Sequence, residues 1–156
     1  MNSIGLISLI LFIFISFYLY QQRQIETFKK TIIPKMEKDL NATYYDSAYL
    51  NVDKLNSLKI FRHQVTNIES YGHFKNKTKI IEYIKILFIK KDTEENDIEN
   101  ILFNGKIEIT TEDKPINNCK KNEYFEAGEK LNKEDRSCKI LDNGKYYYLY
   151  DNQKLF

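Results

Sequence analysis

Residues 4–20 read IGLISLILFIFISFYLY, seventeen positions without a charge. As an α-helix rising ~1.5 Å per residue the stretch spans about 25 Å, close to the hydrocarbon thickness of a bilayer. Tyr18 and Tyr20 extend it into the interfacial belt, and Gln21, Gln22 and Arg23 mark the water boundary. A helix apolar on every face needs a bilayer or a large protein around it, and a chain of 156 residues supplies no such protein. The reading is a short tail (1–3), a transmembrane anchor (4–20) and a polar remainder. A cleaved secretory signal carries a basic start and small residues before the cut. Met1-Asn2-Ser3 has no Lys or Arg, and residues 16–22 lack an A-x-A pattern, so the anchor is expected to stay uncleaved. No Cys stands at the end of the run, which excludes a lipoprotein.

Working outward, the other 136 residues (156 minus 20) carry the whole formal charge of +2, from 24 basic and 22 acidic side chains. That balance argues against nucleic acid as a partner, and 42% hydrophobic residues are too many for a disordered tail. The length leaves room for one small α+β domain over residues 41–156. From Gln21 the positions Ile25, Phe28, Ile32, Met36 and Leu40 recur at three and four, the stripe of an amphipathic stalk helix over residues 21–40. Pro34 falls inside it and predicts a kink or restart near Ile33. Such a stripe serves equally to pack on partner helices or to cover the domain's own sheet.

Beyond the stalk, Val52, Leu55, Leu58, Phe61, Val65 and Ile68 repeat at three or four and predict a second helix, capped at Gly72; Ile60 beside Phe61 leaves a strand open. KIIEYIKILFIKK, residues 79–91, is rich in β-branched and aromatic residues between polar turns and predicts a buried strand, with a short amphipathic helix as the alternative. Asn104-Gly105 and Asn143-Gly144 each lie between apolar runs and predict two type I′ hairpins. The sum is an antiparallel sheet of four or five strands. Cys119 and Cys138 would close a charged C-terminal loop of about 20 residues, a staple contributing roughly 3 kcal/mol; the alternative is two unrelated thiols in a reducing compartment.

Anchor helix, stalk, antiparallel sheet and a cysteine-closed region near the C-terminus together resemble the layout of a type IV pilin or pseudopilin. The resemblance implies a helix half embedded in the membrane that packs on its own sheet. Such proteins carry a basic leader, a Gly before the cleavage point and a Glu five residues further on; here Gly5 has no Lys or Arg before it, and the fifth residue beyond it is Ile10.

Orientation rests on two opposed signals. Arg23, Lys29, Lys30 and Lys35 follow the anchor and by the positive-inside rule would draw the domain into the cytoplasm. A disulfide needs an oxidising compartment, and Glu26 and Glu37 dilute the basic flank. The expectation is a single-pass protein of the cell inner membrane with its C-terminal domain in the periplasm or otherwise outside the cytoplasm.

No catalytic, metal or cofactor site is expected. His63 and His73 stand too far apart for ordinary zinc-ligand spacing, neither Cys has a neighbouring His, the glycines never cluster into a phosphate loop, and the carboxylate pairs Glu94-Glu95 and Glu134-Asp135 sit in charge-rich turns. The run Tyr146-Tyr147-Tyr148-Leu149-Tyr150 is the most unusual feature. With Tyr124 and Phe125 it is the candidate partner surface, since interfaces favour Tyr; the alternative for the run is a packed edge strand. The function that follows is a non-enzymatic structural or accessory subunit of a cell-envelope machine (pilus, secretion or flagellar-motor scaffold), bound to the bilayer through residues 4–20 and to other envelope proteins. The alternatives are a membrane-tethered ligand-binding or sensing module and a divergent pilin-like subunit.

The cysteine expectation is directly measurable. Maleimide should label neither Cys119 nor Cys138 in the unreduced full-length protein and both after reduction, and Cys119→Ser should lower stability by about 3 kcal/mol. Free thiols in the unreduced native protein would contradict the staple.

Overall fold

The computed structural model describes residues 2–61, 63–91, 97–115, 137–151 and 155. Two units divide at Asn41 and Ala42. The first is a helix, α1 (Ser3–Leu40). Its Asn2 side chain accepts a hydrogen bond from the Gly5 amide at 3.0 Å, and Asn41 ends it in the left-handed region at φ 49°, the ordinary chemistry of the two ends. At 38 residues it is about 57 Å long. The restart expected at Pro34 does not occur. A helical φ suits proline, and the missing amide costs one bond of a long ladder, so the helix runs through. The segments expected as anchor and stalk are thus one continuous helix. Its apolar window is entirely unburied and long enough to cross a membrane, a property shared by single-pass anchors and signal sequences.

The second unit is α+β. After β1 (Thr43–Tyr45) and the short α2 (Val52–Leu58) come β2 (Asn67–Lys75), β3 (Lys79–Lys91), β4 (Asp97–Thr110), β5 (Ser137–Asp142) and β6 (Lys145–Asp151). They form one antiparallel sheet of six strands in the order β1-β2-β3-β4-β6-β5. β3 and β4 lie at its centre. On one face Ile84, Ile86, Phe88, Phe103, Ile107, Ile109, Tyr147 and Leu149 pack with Leu50, Leu55, Ile60, Phe61 and Val65 from the β1–β2 connection. The other face holds buried Phe74, Ile81, Tyr83, Leu87 and Tyr148. Burial on both faces explains why residues 79–91 read as a nearly continuous apolar run.

Three expectations are corrected. The sheet has six strands, not four or five. The helix expected through Ile68 stops at Leu58, where Lys59 takes a left-handed φ of 53°. The Ile60–Phe61 stretch and Val65 fill the core as irregular chain, and Gly72 (φ 101°) sits at a bulge of β2 rather than capping a helix. Asn104-Gly105 is not a turn, because β4 passes straight through it, with Asn104 opposite Lys85 and Gly105 between Ile84 and Asp151. The glycine serves close approach: a Cβ there would strike the Tyr150 backbone carbonyl. The other hairpin forms as expected, with Asn143 at φ 55° and Gly144 at φ 79° joining β5 to β6. Cys119, Tyr124, Phe125, Glu94-Glu95 and Glu134-Asp135 lie outside the described residues, and of Cys138 the backbone alone is described, opposite Leu149 in β5.

The two Asn-Gly pairs should therefore respond oppositely. Asn143→Thr, which forces a β-branched residue to positive φ, should cost about 1 kcal/mol or more, whereas Asn104→Thr, a strand position, should stay within about 0.5 kcal/mol. Denaturant midpoints of the full-length protein in mild detergent measure this. Equal losses at both would restore the second hairpin.

Candidate functional site

Two polar groupings and the tyrosine strand are the chemically notable parts of the second unit. The first is built on Glu82, a central-strand residue with no exposed surface. Its carboxylate accepts from the Tyr49 amide (2.6 Å), the Leu50 amide (3.0 Å) and the Ser70 hydroxyl (3.1 Å). A strand alternating Ile80, Glu82, Ile84, Ile86 toward the core would ordinarily bury an apolar residue here. The acid instead pins the loop before α2 to the sheet and supplies acceptors for two amides that would otherwise be orphaned. Beside it, His73 holds Nδ1 at 2.7 Å from the Ser47 carbonyl and stacks on Tyr45 with centroids 5.1 Å apart. Burial pushes the Glu82 carboxyl up, against the three hydrogen bonds and the nearby His73, which pull it down. The Tyr44 hydroxyl, donating to the Tyr71 carbonyl at 2.6 Å, is pushed up to about 12 by burial and by Asp46.

The tyrosine strand divides as alternation requires. Tyr147 and Leu149 join the core, while Tyr146, Tyr148 and Tyr150 share the opposite face. Tyr148 is wholly buried there: its hydroxyl donates to the Glu112 carbonyl at 3.0 Å and accepts from the Lys114 amide, fastening the chain after β4 across the strand. Lys114 also pairs with Glu108. Tyr146 and Tyr150 are half-buried beneath Lys139 (5.7 Å from the ring centroid) and Lys106 (4.6 Å). Of the run, these two rings hold the remaining accessible surface. Burial pushes the Lys106 ammonium down against the pull of Glu108, and Lys114 and Lys79 push it further.

The second grouping went unnoticed in the sequence. A concavity of about 240 Å³ opens at the end of the sheet where the β2–β3 turn, the end of β4 and the β5–β6 turn meet. Ile80 and Ile109, paired across β3 and β4, lie in its lining with Tyr49, Thr78, Thr110 and Thr111, and so do Lys75, Lys77, Lys79 and Lys145. No Asp or Glu lines it. The signal was scattered over separate segments of the chain, and only the strand order joins them.

The remaining expected residues are placed as follows. Ile25, Phe28, Ile32, Met36 and Leu40 all lie on α1. His63 stacks on Phe88 with centroids 4.4 Å apart, far from the buried His73 in register. Among the described residues no group of three or more His, Cys, Asp or Glu is arranged to hold a metal ion. Neither family models, nor curated proteins, nor solved structures contain a match to this chain.

Glu82 makes a pH prediction. With its folded pKa above the ordinary 4.5, the folded state holds the proton more tightly than the unfolded chain. The Glu82 contribution is therefore greatest below pH 4.5 and is lost as pH rises through the raised folded value. Glu82→Gln should remove that part of the pH dependence while costing about 1–3 kcal/mol through the amide or hydroxyl it leaves unmatched. Unfolding midpoints measured from pH 4 to 8 test this, and an identical slope in wild type and variant would contradict it.

Proposed function

We propose that this chain is a non-enzymatic, single-pass membrane protein whose anchor stays uncleaved and whose α+β unit lies outside the cytoplasm as a structural or accessory part of a cell-envelope assembly. The observation that carries the reading is the unburied apolar window of α1, followed without interruption by polar helix and then by a separately packed sheet unit. Apolar area of that extent is stable in lipid and not in water. The non-enzymatic part is supported by how the buried polar groups are used: Glu82 is saturated by three donors, Glu108 is paired with Lys114, and Tyr148 ties down a loop. Each is spent on holding the backbone. A staple between Cys119 and Cys138 belongs to the same proposal, as does contact with other envelope proteins through the partly open rings of Tyr146 and Tyr150. A membrane-tethered binding module is the second reading, favoured by the lysine-lined concavity.

Alkaline phosphatase fused after Phe156 reports the compartment, since it is active only where disulfides form. Active fusions with the full-length protein migrating on native gels well above its own micelle are expected. Inactive phosphatase with an active cytoplasmic reporter would reverse the orientation, and a monodisperse monomer under every mild detergent would remove the assembly role.

A further inference from the structure

We propose that the concavity at the turn end of the sheet binds a phosphate group. Ile80 and Ile109 lie side by side in its lining, and the register sets lysines around them. Lys75 pairs directly with Ile80 on one side, and Lys145 stands two residues past Tyr147, the partner of Ile109, on the other. With strands about 4.8 Å apart and a rise of about 3.3 Å per residue, three strand spacings and two residues along β6 put the backbones of Lys75 and Lys145 roughly 16 Å apart across Ile80 and Ile109. Two flexible lysine stems span such a gap from opposite sides and bring both ammonium groups toward one anion. Lys77 comes from the turn between β2 and β3, held by Asn76, whose side chain accepts from the Thr78 amide (2.9 Å), the Thr78 hydroxyl (3.1 Å) and the Lys79 amide (2.9 Å). The turn is thus rigid where the cation is mounted.

Charge selects the ligand. Among the described residues Lys75, Lys77 and Lys145 have no ion-pair partner, and Asp142, opposite Lys145 in the register, is taken by Lys54. Like charges gathered around one concavity repel one another, and a multiply charged oxyanion relieves that repulsion while accepting several charge-assisted hydrogen bonds. Size narrows it further. About 240 Å³ lies below the usual ~300–1,000 Å³ of sites for whole organic ligands. A phosphate and a few attached atoms fit, whereas a nucleotide does not. The phosphate comes either from a soluble phosphorylated compound or from a phospholipid headgroup. The inference names a ligand for the tethered-module reading and does not depend on which side of the membrane the unit occupies.

Lysine acylation footprinting of the full-length protein decides it, with the chain placed in maltoside micelles, which carry no phosphate, or in nanodiscs of phosphatidylcholine with phosphatidylglycerol. In micelles, inorganic phosphate should slow modification of Lys75, Lys77 and Lys145 by about tenfold once its concentration is about ten times its Kd, while exposed Lys59 is unaffected and sodium chloride of equal ionic strength does nothing. Protection without added phosphate, confined to the nanodiscs, assigns the headgroup as the source. In the double variant Lys77→Gln, Lys145→Gln, with its circular dichroism unchanged, protection of Lys75 should vanish. Unchanged modification of all three lysines in wild type under both conditions, or protection that the double variant retains, overturns the proposal.

Discussion

Thirteen paired positions join β3 to β4, and this ladder is the constraint on which the α+β unit depends. Two long strands at the middle of a six-stranded sheet have neighbours on both edges, and burial on both faces. Such strands tolerate few polar residues, so each one present must be matched. Glu82 is matched by the chain before α2, which is thereby drawn over one face, and Glu108 by Lys114, from the chain after β4. Tyr148 fastens that same chain from the neighbouring strand. The connections are positioned by the central strands and not by propensities of their own.

That dependence explains what could be read beforehand. The long apolar N-terminal helix was legible because an uninterrupted apolar run and helical spacing are both local signals. Residues 79–91 and the Asn143-Gly144 hairpin were legible because burial and positive φ leave local traces. Asn104-Gly105 misled because the same dipeptide that fits a turn also fits a strand needing bare backbone where β6 closes in; the signal for β6 lay some forty residues further on. The apparent helix of Val52 to Ile68 is a core pattern whose spacing mimics a helix. Leu55 is helical, Phe61 and Val65 are not, and all three face the same sheet. Glu82 read as a polar interruption in an apolar strand; its role needed the amides of Tyr49 and Leu50, more than thirty residues away. The lysine concavity needed the strand order itself.

The two units have opposite requirements. α1 begins with apolar surface that finds no cover in protein, and the sheet unit hides its own. A chain with that division meets both demands at once when the first half of α1 lies in a bilayer and the sheet stands in water. The buried acids and the tyrosine hydroxyls then act as fasteners of a rigid head. The turn end of the sheet gathers lysines and threonines around one concavity.

The central claim is that residues 4–20 remain part of the mature protein and hold it in lipid. The mass of the protein recovered from membranes after alkaline carbonate washing tests it most directly. The account predicts the intact chain of 18.7 kDa in the membrane pellet. A lighter, carbonate-soluble species that begins beyond Tyr20 would show that the apolar helix is a removed signal, and would contradict it.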